Sequence, residues 1–139
     1  MNQIAILYPV IAMAALTFIV LLLIPYQRFR AVIRKQVVAD DFKFGESGSV
    51  PPAVCIPNRN YMNLLELPLL FYVGCLVMFV TQAVTPVAVG LAWAYVALRS
   101  VHSLIHLTYN NVVHRLAFFA LSNVALVALW ILLVTNMGK

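Results

Sequence analysis

The chain has 139 residues, of which 64% are hydrophobic and only 9% charged, with a mean hydropathy of +0.97. A soluble globular protein carries roughly 45–50% apolar and about 25% charged residues, so this composition excludes a soluble enzyme domain, a disordered chain and a disulfide-stapled secreted module. The net charge of +5 does not point to nucleic acid, because the basic residues adjoin apolar segments and form no soluble basic face.

A helix needs about 20 apolar residues to cross a hydrocarbon core roughly 30 Å thick. Residues 4–24 carry no charge and predict a first span, ended by Pro25. That run lacks the basic flank and cleavage site of a signal peptide and is too long for one, so it is expected to be retained. Residues 26–60 form the one long polar stretch, with Asp40-Asp41, Gly45, Gly48 and Pro51-Pro52. Its content fits a helical extension of span one through about Val38, followed by an irregular loop. A second span is expected over residues 62–82, interrupted by Asn63, Glu66 and Pro68. Thr85-Pro86 reads as a cap and first-turn proline opening a third span over 86–107. The fourth covers 116–134 and stops before Asn136 and Gly138. Segments near 20 residues without strict alternation argue against a closed barrel. The expected fold is one all-α domain, an integral membrane four-helix bundle of up-down topology.

Charge sets the orientation. Arg28, Arg30, Arg34, Lys35, Lys43 and Arg59 lie between spans one and two, and Arg99 and Arg115 flank the connection of spans three and four; only Lys139 is on the opposite side. The positive-inside rule then places both connections in the cytosol and both termini outside. Short connections suit a bacterial inner membrane.

The informative residues are the costly ones, since an ionised group at the bilayer centre costs about 2.5–3.5 kcal/mol. Arg59, Asn63 and Glu66 fall at i, i+4 and i+7 and so share a helix face; Arg99, His102 and His106 have the spacing i, i+3, i+7. Both clusters lie toward the cytosolic ends of their spans, where the two faces can meet, with Arg59 or Arg99 as partner to a buried Glu66. The plain reading of such residues is interhelical hydrogen bonding, worth about 0.6–2 kcal/mol per contact. That reading suits Asn63 alone. It does not suit the whole set of Arg59, Asn63, Glu66, Arg99, His102, His106 and Arg115 on one side of the membrane. His102, His106 and His114 could share a metal, but no HExxH is present, and no metal is expected. Cys55 and Cys75 form neither a CxxC nor a zinc spacing and have no adjacent base.

Arg59-x3-Asn63-x2-Glu66 opening span two, Arg99-x2-His102 ending span three and Arg115 opening span four resemble the membrane-associated proteins in eicosanoid and glutathione metabolism, the MAPEG family. The resemblance covers nearly the whole chain. It implies a homotrimer with glutathione as co-substrate, bound between subunits near the cytosolic face by residues matching Arg59, Asn63, Glu66, His102 and Arg115. Arg99 and His106 are counted with them as glutathione-binding residues, and Arg28 or Arg30 would reach the site from the adjacent subunit. The arginine matching Arg115 is the one credited with stabilising the thiolate. Three departures stand out: His106 where several members carry a tyrosine, Leu116 where the prostaglandin synthase branch has a serine, and Pro68 unusually close to Glu66. They argue against a dedicated prostaglandin synthase.

Such residues suit the ligand. Arginines recognise carboxylates in planar, bidentate fashion, Glu66 can partner the ammonium, and Asn63 can serve peptide groups. The expected activity is transfer of glutathione to apolar electrophiles, with peroxidase action on lipid hydroperoxides as a variant. The alternatives are a non-catalytic lipid-binding or scaffold protein of the same fold and a small transporter or channel subunit.

Overall fold

A computed structural model describes residues 2–137; Lys139 lies outside the described residues. The first rod begins with one tight 3-10 turn, Gln3–Ile6, where the Asn2 side chain accepts from the Ile4 N–H at 3.0 Å. It continues as α1, Leu7–Ile33, past Pro25, which sits inside it, so the apolar run extends helically as expected. Proline removes a single backbone donor. A helix in lipid tolerates that better than the loss of its whole hydrogen-bond ladder. The helix stops short of the expected Val38. Lys35 adopts a left-handed conformation (φ 56°). Its N–H donates to the Val32 carbonyl at 2.9 Å, and that of Gln36 to Ala31 at 3.0 Å. These two bonds form a Schellman motif that satisfies the terminal carbonyls.

The connection is correspondingly shorter than residues 26–60. It carries a second 3-10 turn, Ala39–Phe42, and is organised by Asp41. The Asp41 carboxylate accepts from the Val38 N–H at 2.9 Å, the Ser47 hydroxyl at 3.0 Å and the Ser49 hydroxyl at 3.1 Å. These bonds, the Val38 one foremost, hold its carboxyl below the usual carboxylate range.

Helix α2 spans Pro52–Leu65, starting well before the expected residue 62, with proline in the first turn where its missing N–H costs nothing. The second rod is broken after it. Helix α3, Pro68–Val80, restarts at Pro68, and its first bonds are Leu69 N–H to Glu66 (3.1 Å) and Leu70 N–H to Leu67 (3.0 Å). Helix α4 is Pro86–Leu107, and the Thr85 hydroxyl caps it by accepting from the Ala88 N–H at 3.2 Å. Helix α5, Val112–Asn136, opens four residues before the expected residue 116 because Asn111 caps it, accepting from the His114 N–H at 3.0 Å.

Four rods, Gln3–Ile33, Pro52–Val80, Pro86–Leu107 and Val112–Asn136, are long and apolar enough to cross a membrane, and no strand occurs among the described residues. The fold is an all-helical membrane bundle. Helix α4 packs most extensively on α5, and α1 on α2. Lipid offers no hydrophobic drive to join helices, so close fit has to. Ala88 and Ala92 are fully buried and let backbones approach. Phe71 stacks on Tyr95 with centroids 4.7 Å apart. Gly74 sits so near α5 that an added Cβ would meet Leu129 Cδ2 at 3.1 Å and Trp130 Nε1 at 3.3 Å. Phe18, Leu22, Val127 and Ile131 face outward as a lipid-compatible surface. At one end Gln3 accepts from the Val84 N–H at 3.0 Å. The other, here the loop end, gathers residues 34–51 and 108–111.

Candidate functional site

Breaking the second rod at Glu66-Leu67 shapes the loop end. The last four carbonyls of a helix have no intrahelical partner, and Asn63 is one of them in α2. Arg99, fully buried on α4, donates its Nη2 to that Asn63 carbonyl. The expected partnership of Glu66 with Arg59 or Arg99 does not form. Glu66 and Arg59 are exposed, and the one salt bridge among the described residues is Arg28–Glu46 at 3.5 Å. The physical reason is the early Pro68: it ends α2 at Leu65 and supplies a neutral acceptor where a carboxylate was expected.

Residue spacing puts Arg59, Asn63 and Glu66 on one helix face, but α2 ends at Leu65, only Asn63 of the three lines the cleft, and the polar residue α2 turns fully inward is Asn60. Its Oδ1 accepts from the Ser103 hydroxyl at 3.2 Å, joining α2 to α4. Neither Asn60 nor Ser103 was singled out in the sequence. The available signal was that Asn60, Leu64 and Phe71 lie on one helical stripe (i, i+4, i+11). Asn110 was also missed. Its Oδ1 accepts from Arg115 Nη1 at 2.6 Å, so the connection holds the arginine that follows it.

His102 is buried between α4 and α5, with Nδ1 3.0 Å from the Arg115 carbonyl. A carbonyl only accepts, so Nδ1 carries the proton. Nε2 of His102, Nδ1 of His106 and Nε of Arg115 are buried without a partner. Arg99 lies over the Phe119 ring at 5.5 Å and His102 beside it at 5.9 Å. His106 is buried, its ring 6.0 Å from that of His102. His114 points elsewhere, 3.0 Å from the Tyr109 hydroxyl. Among the described residues, no three His, Cys, Asp or Glu side chains converge.

These placements open a cleft of about 230 Å³ lined by Asn63, His102, Val112, Arg115, Leu116 and Phe119. Asn63, His102 and Arg115 supply its polar groups, and exposed Val112 and Leu116 belong to its apolar lining. Farther along α5 a larger groove of about 700 Å³ runs between α3 and α5, lined by Leu67, Leu70, Leu126, Trp130 and Val134, with Asn123 as its polar point. The α1 arginines stay apart from the cleft within one chain. Arg28 is held by Glu46 and by the Phe42 ring at 4.6 Å, while Arg30 lines separate cavities with Arg34.

A four-rod helical bundle with guanidinium, imidazole and amide groups collected at one end defines a multi-pass membrane protein with an anion-compatible cleft. The MAPEG family model matches residues 6–135, nearly the whole chain, and the protein belongs to the MAPEG family. No curated protein and no solved structure matches it.

Proposed function

We propose that this protein is a membrane glutathione transferase that joins the thiol to apolar electrophiles, with a peroxidase variant in which two glutathione thiols are oxidised to the disulfide as a lipid hydroperoxide is reduced to its alcohol and water. The observation that carries the reading is Arg115 sharing one cleft with the polar side chains of Asn63 and His102 and the apolar ones of Val112, Leu116 and Phe119. A tripeptide with two carboxylates and an apolar electrophile need that combination at the edge of a bilayer. Asn63 serves a peptide group, and Arg59 and Glu66 at the rim serve a carboxylate and the ammonium. Arg99 and His106 stabilise the wall behind them. Arg115 lies beside the sulfur and favours its thiolate.

In conjugation, the sulfur lone pair forms the C–S bond as the leaving group departs with its electrons, and the thiol proton passes to water. The apolar partner lies along the groove between α3 and α5. The reading takes the loop end as cytosolic, both termini as outside, and the setting as a bacterial inner membrane. It assembles three copies, each lending an α1 arginine to its neighbour. Its role would be detoxification.

Purified full-length protein in detergent, tested with glutathione against a broad panel of electrophiles and lipid hydroperoxides, decides the matter. Glutathione-dependent turnover lost in Arg115→Ala supports the proposal. Absence of turnover across the panel overturns it.

A non-catalytic lipid-presenting role, which other members of the family have, is the second reading. It is favoured by Leu116 in the cleft and by the hold of Asn110 on Arg115. Thermal unfolding separates the two, because any ligand bound only by the native state must stabilise it. No stabilisation at millimolar glutathione favours the second.

A further inference from the structure

The last turns of α1 carry a site that the thiol chemistry does not use. Tyr26, Arg30 and Arg34 are spaced i, i+4, i+8 and share one face over about 12 Å of helix. Two cavities meet at this pair of guanidinium groups. One, of about 270 Å³, sets Gln27 and Gln36 beside Arg30 and Arg34, with apolar residues, Pro51 and Val54 among them, completing its lining. The other, of about 440 Å³, is bounded by Tyr26, Phe29 and Ile33 together with the same two arginines. Tyr26, Phe29 and Ile33 are 57%, 69% and 81% exposed, so they offer an apolar surface and not a core.

The arginines have no structural employment. Neither is within salt-bridge distance of a carboxylate among the described residues. Nor do they cap the helix. The carbonyls of Arg30, Ala31 and Val32 accept from the N–H groups of Arg34, Gln36 and Lys35 at 3.1, 3.0 and 2.9 Å.

We infer that Arg30 and Arg34 bind the phosphate of an anionic phospholipid, whose acyl chain lies over Tyr26, Phe29 and Ile33. Charge complementarity selects the headgroup, since two guanidinium forks can engage phosphate oxygens from both sides. Position selects a lipid over a free anion. The charged pair sits where a membrane-length apolar helix leaves the hydrocarbon, and an exposed aromatic and aliphatic strip adjoins it. Two arginines near a membrane surface attract an anionic lipid by about 1 kcal/mol each, or about thirtyfold in affinity together. The resemblance admits either Arg28 or Arg30 as the arginine that reaches glutathione. This assignment leaves Arg28, already turned to the loop by Glu46 and Phe42, and gives Arg30 to lipid.

The test uses the full chain in an uncharged detergent, following thermal unfolding on titration with phosphatidylglycerol, phosphatidylcholine, inorganic phosphate or glutathione. Phosphatidylglycerol is expected to raise the midpoint at far lower concentration than phosphatidylcholine. Its half-saturating concentration should rise about thirtyfold in R30Q/R34Q and less than about twofold in K43Q, which removes a charge elsewhere on the connection. Should the double variant not fold, R34Q alone decides, with a shift of about fivefold expected. Equal stabilisation by the two lipids, or an unshifted titration in the variants, overturns the proposal. Matching stabilisation by inorganic phosphate makes this a free-anion site and overturns the lipid assignment. Loss of glutathione stabilisation in R30Q/R34Q with the phosphatidylglycerol response intact returns Arg30 to the thiol site and overturns it too.

Discussion

On the proposed transferase reading, removing Arg115 should change the rate in a way that depends on pH, and that dependence separates thiolate stabilisation from mere positioning. Unit charges 4 Å apart interact by about 1 kcal/mol in water and about 4 kcal/mol at an effective dielectric of 20. Arg115 is half-buried at the cleft, so about 2 kcal/mol, or about 1.5 pKa units, is the expected stabilisation of a bound thiolate. The thiol then moves from about 8.5 to about 7. At pH 6.5 the thiolate fraction is about 24% with the arginine and about 1% without it; at pH 9 the fractions are about 99% and about 76%. The lower basicity reduces nucleophilicity by about fivefold, but equally at every pH. Lost positioning likewise scales the variant rate by a constant. The ratio of wild-type to R115A kcat should therefore fall by roughly twentyfold between pH 6.5 and pH 9. Single-turnover rates at saturating glutathione with a generic electrophile measure it. A ratio that stays flat across this range would refute the thiolate role of Arg115 and leave it a binding residue only.

Three further outcomes test the architecture. Gly74→Leu should lower the unfolding midpoint in detergent by the equivalent of about 1–3 kcal/mol, since even a Cβ would press on Leu129 and Trp130. Gly74→Ala should be near neutral, its gain of about 1 kcal/mol in helix propensity offsetting the tight contact; no difference between the two would refute the close packing of α3 on α5. Pro68→Ala restores a backbone donor, lets α2 run on and withdraws the Asn63 carbonyl from Arg99. Glutathione KM should rise severalfold with the midpoint unchanged or higher, and an unaltered KM would count against the break as the feature that forms the cleft. In the connection, S47A/S49A should raise the Asp41 carboxyl titration toward its ordinary value, read by NMR. Because its folded value is depressed, Asp41 stabilises the connection above its unfolded pKa of about 3.9, and that contribution is lost as pH falls through the folded value. An unmoved titration would refute the serine contacts.

The apolar runs, the cap at Thr85 and the gathering of charge at one end were readable because each depends on local chemistry. A long uncharged segment has to be helical in lipid, whatever surrounds it. Helix ends were read less well. Pro25 closes the uncharged run but not the helix, and the extension expected through about Val38 stops at Ile33, where the left-handed turn at Lys35 ends it. The start of α2 at Pro52 and that of α5 at Val112 lie in polar sequence, where hydrophobicity carries no signal and capping does.

For the cleft, residue spacing put Arg59, Asn63 and Glu66 on one face but could not say how far that face turns inward. Asn60, about 100° around the helix from Arg59, is the residue that enters the core. The same holds for Arg99. Its place inside a span marked it as costly and in need of a partner, but the partner is a backbone carbonyl released by a break two residues before Pro68. No side-chain pattern encodes that acceptor. The scarcity of charge, by itself, determined that this chain lives in a bilayer and which of its residues are under electrostatic demand. Tertiary structure alone decided what meets the demand, because a buried polar group is satisfied by whichever donor or acceptor the packing brings within about 3 Å.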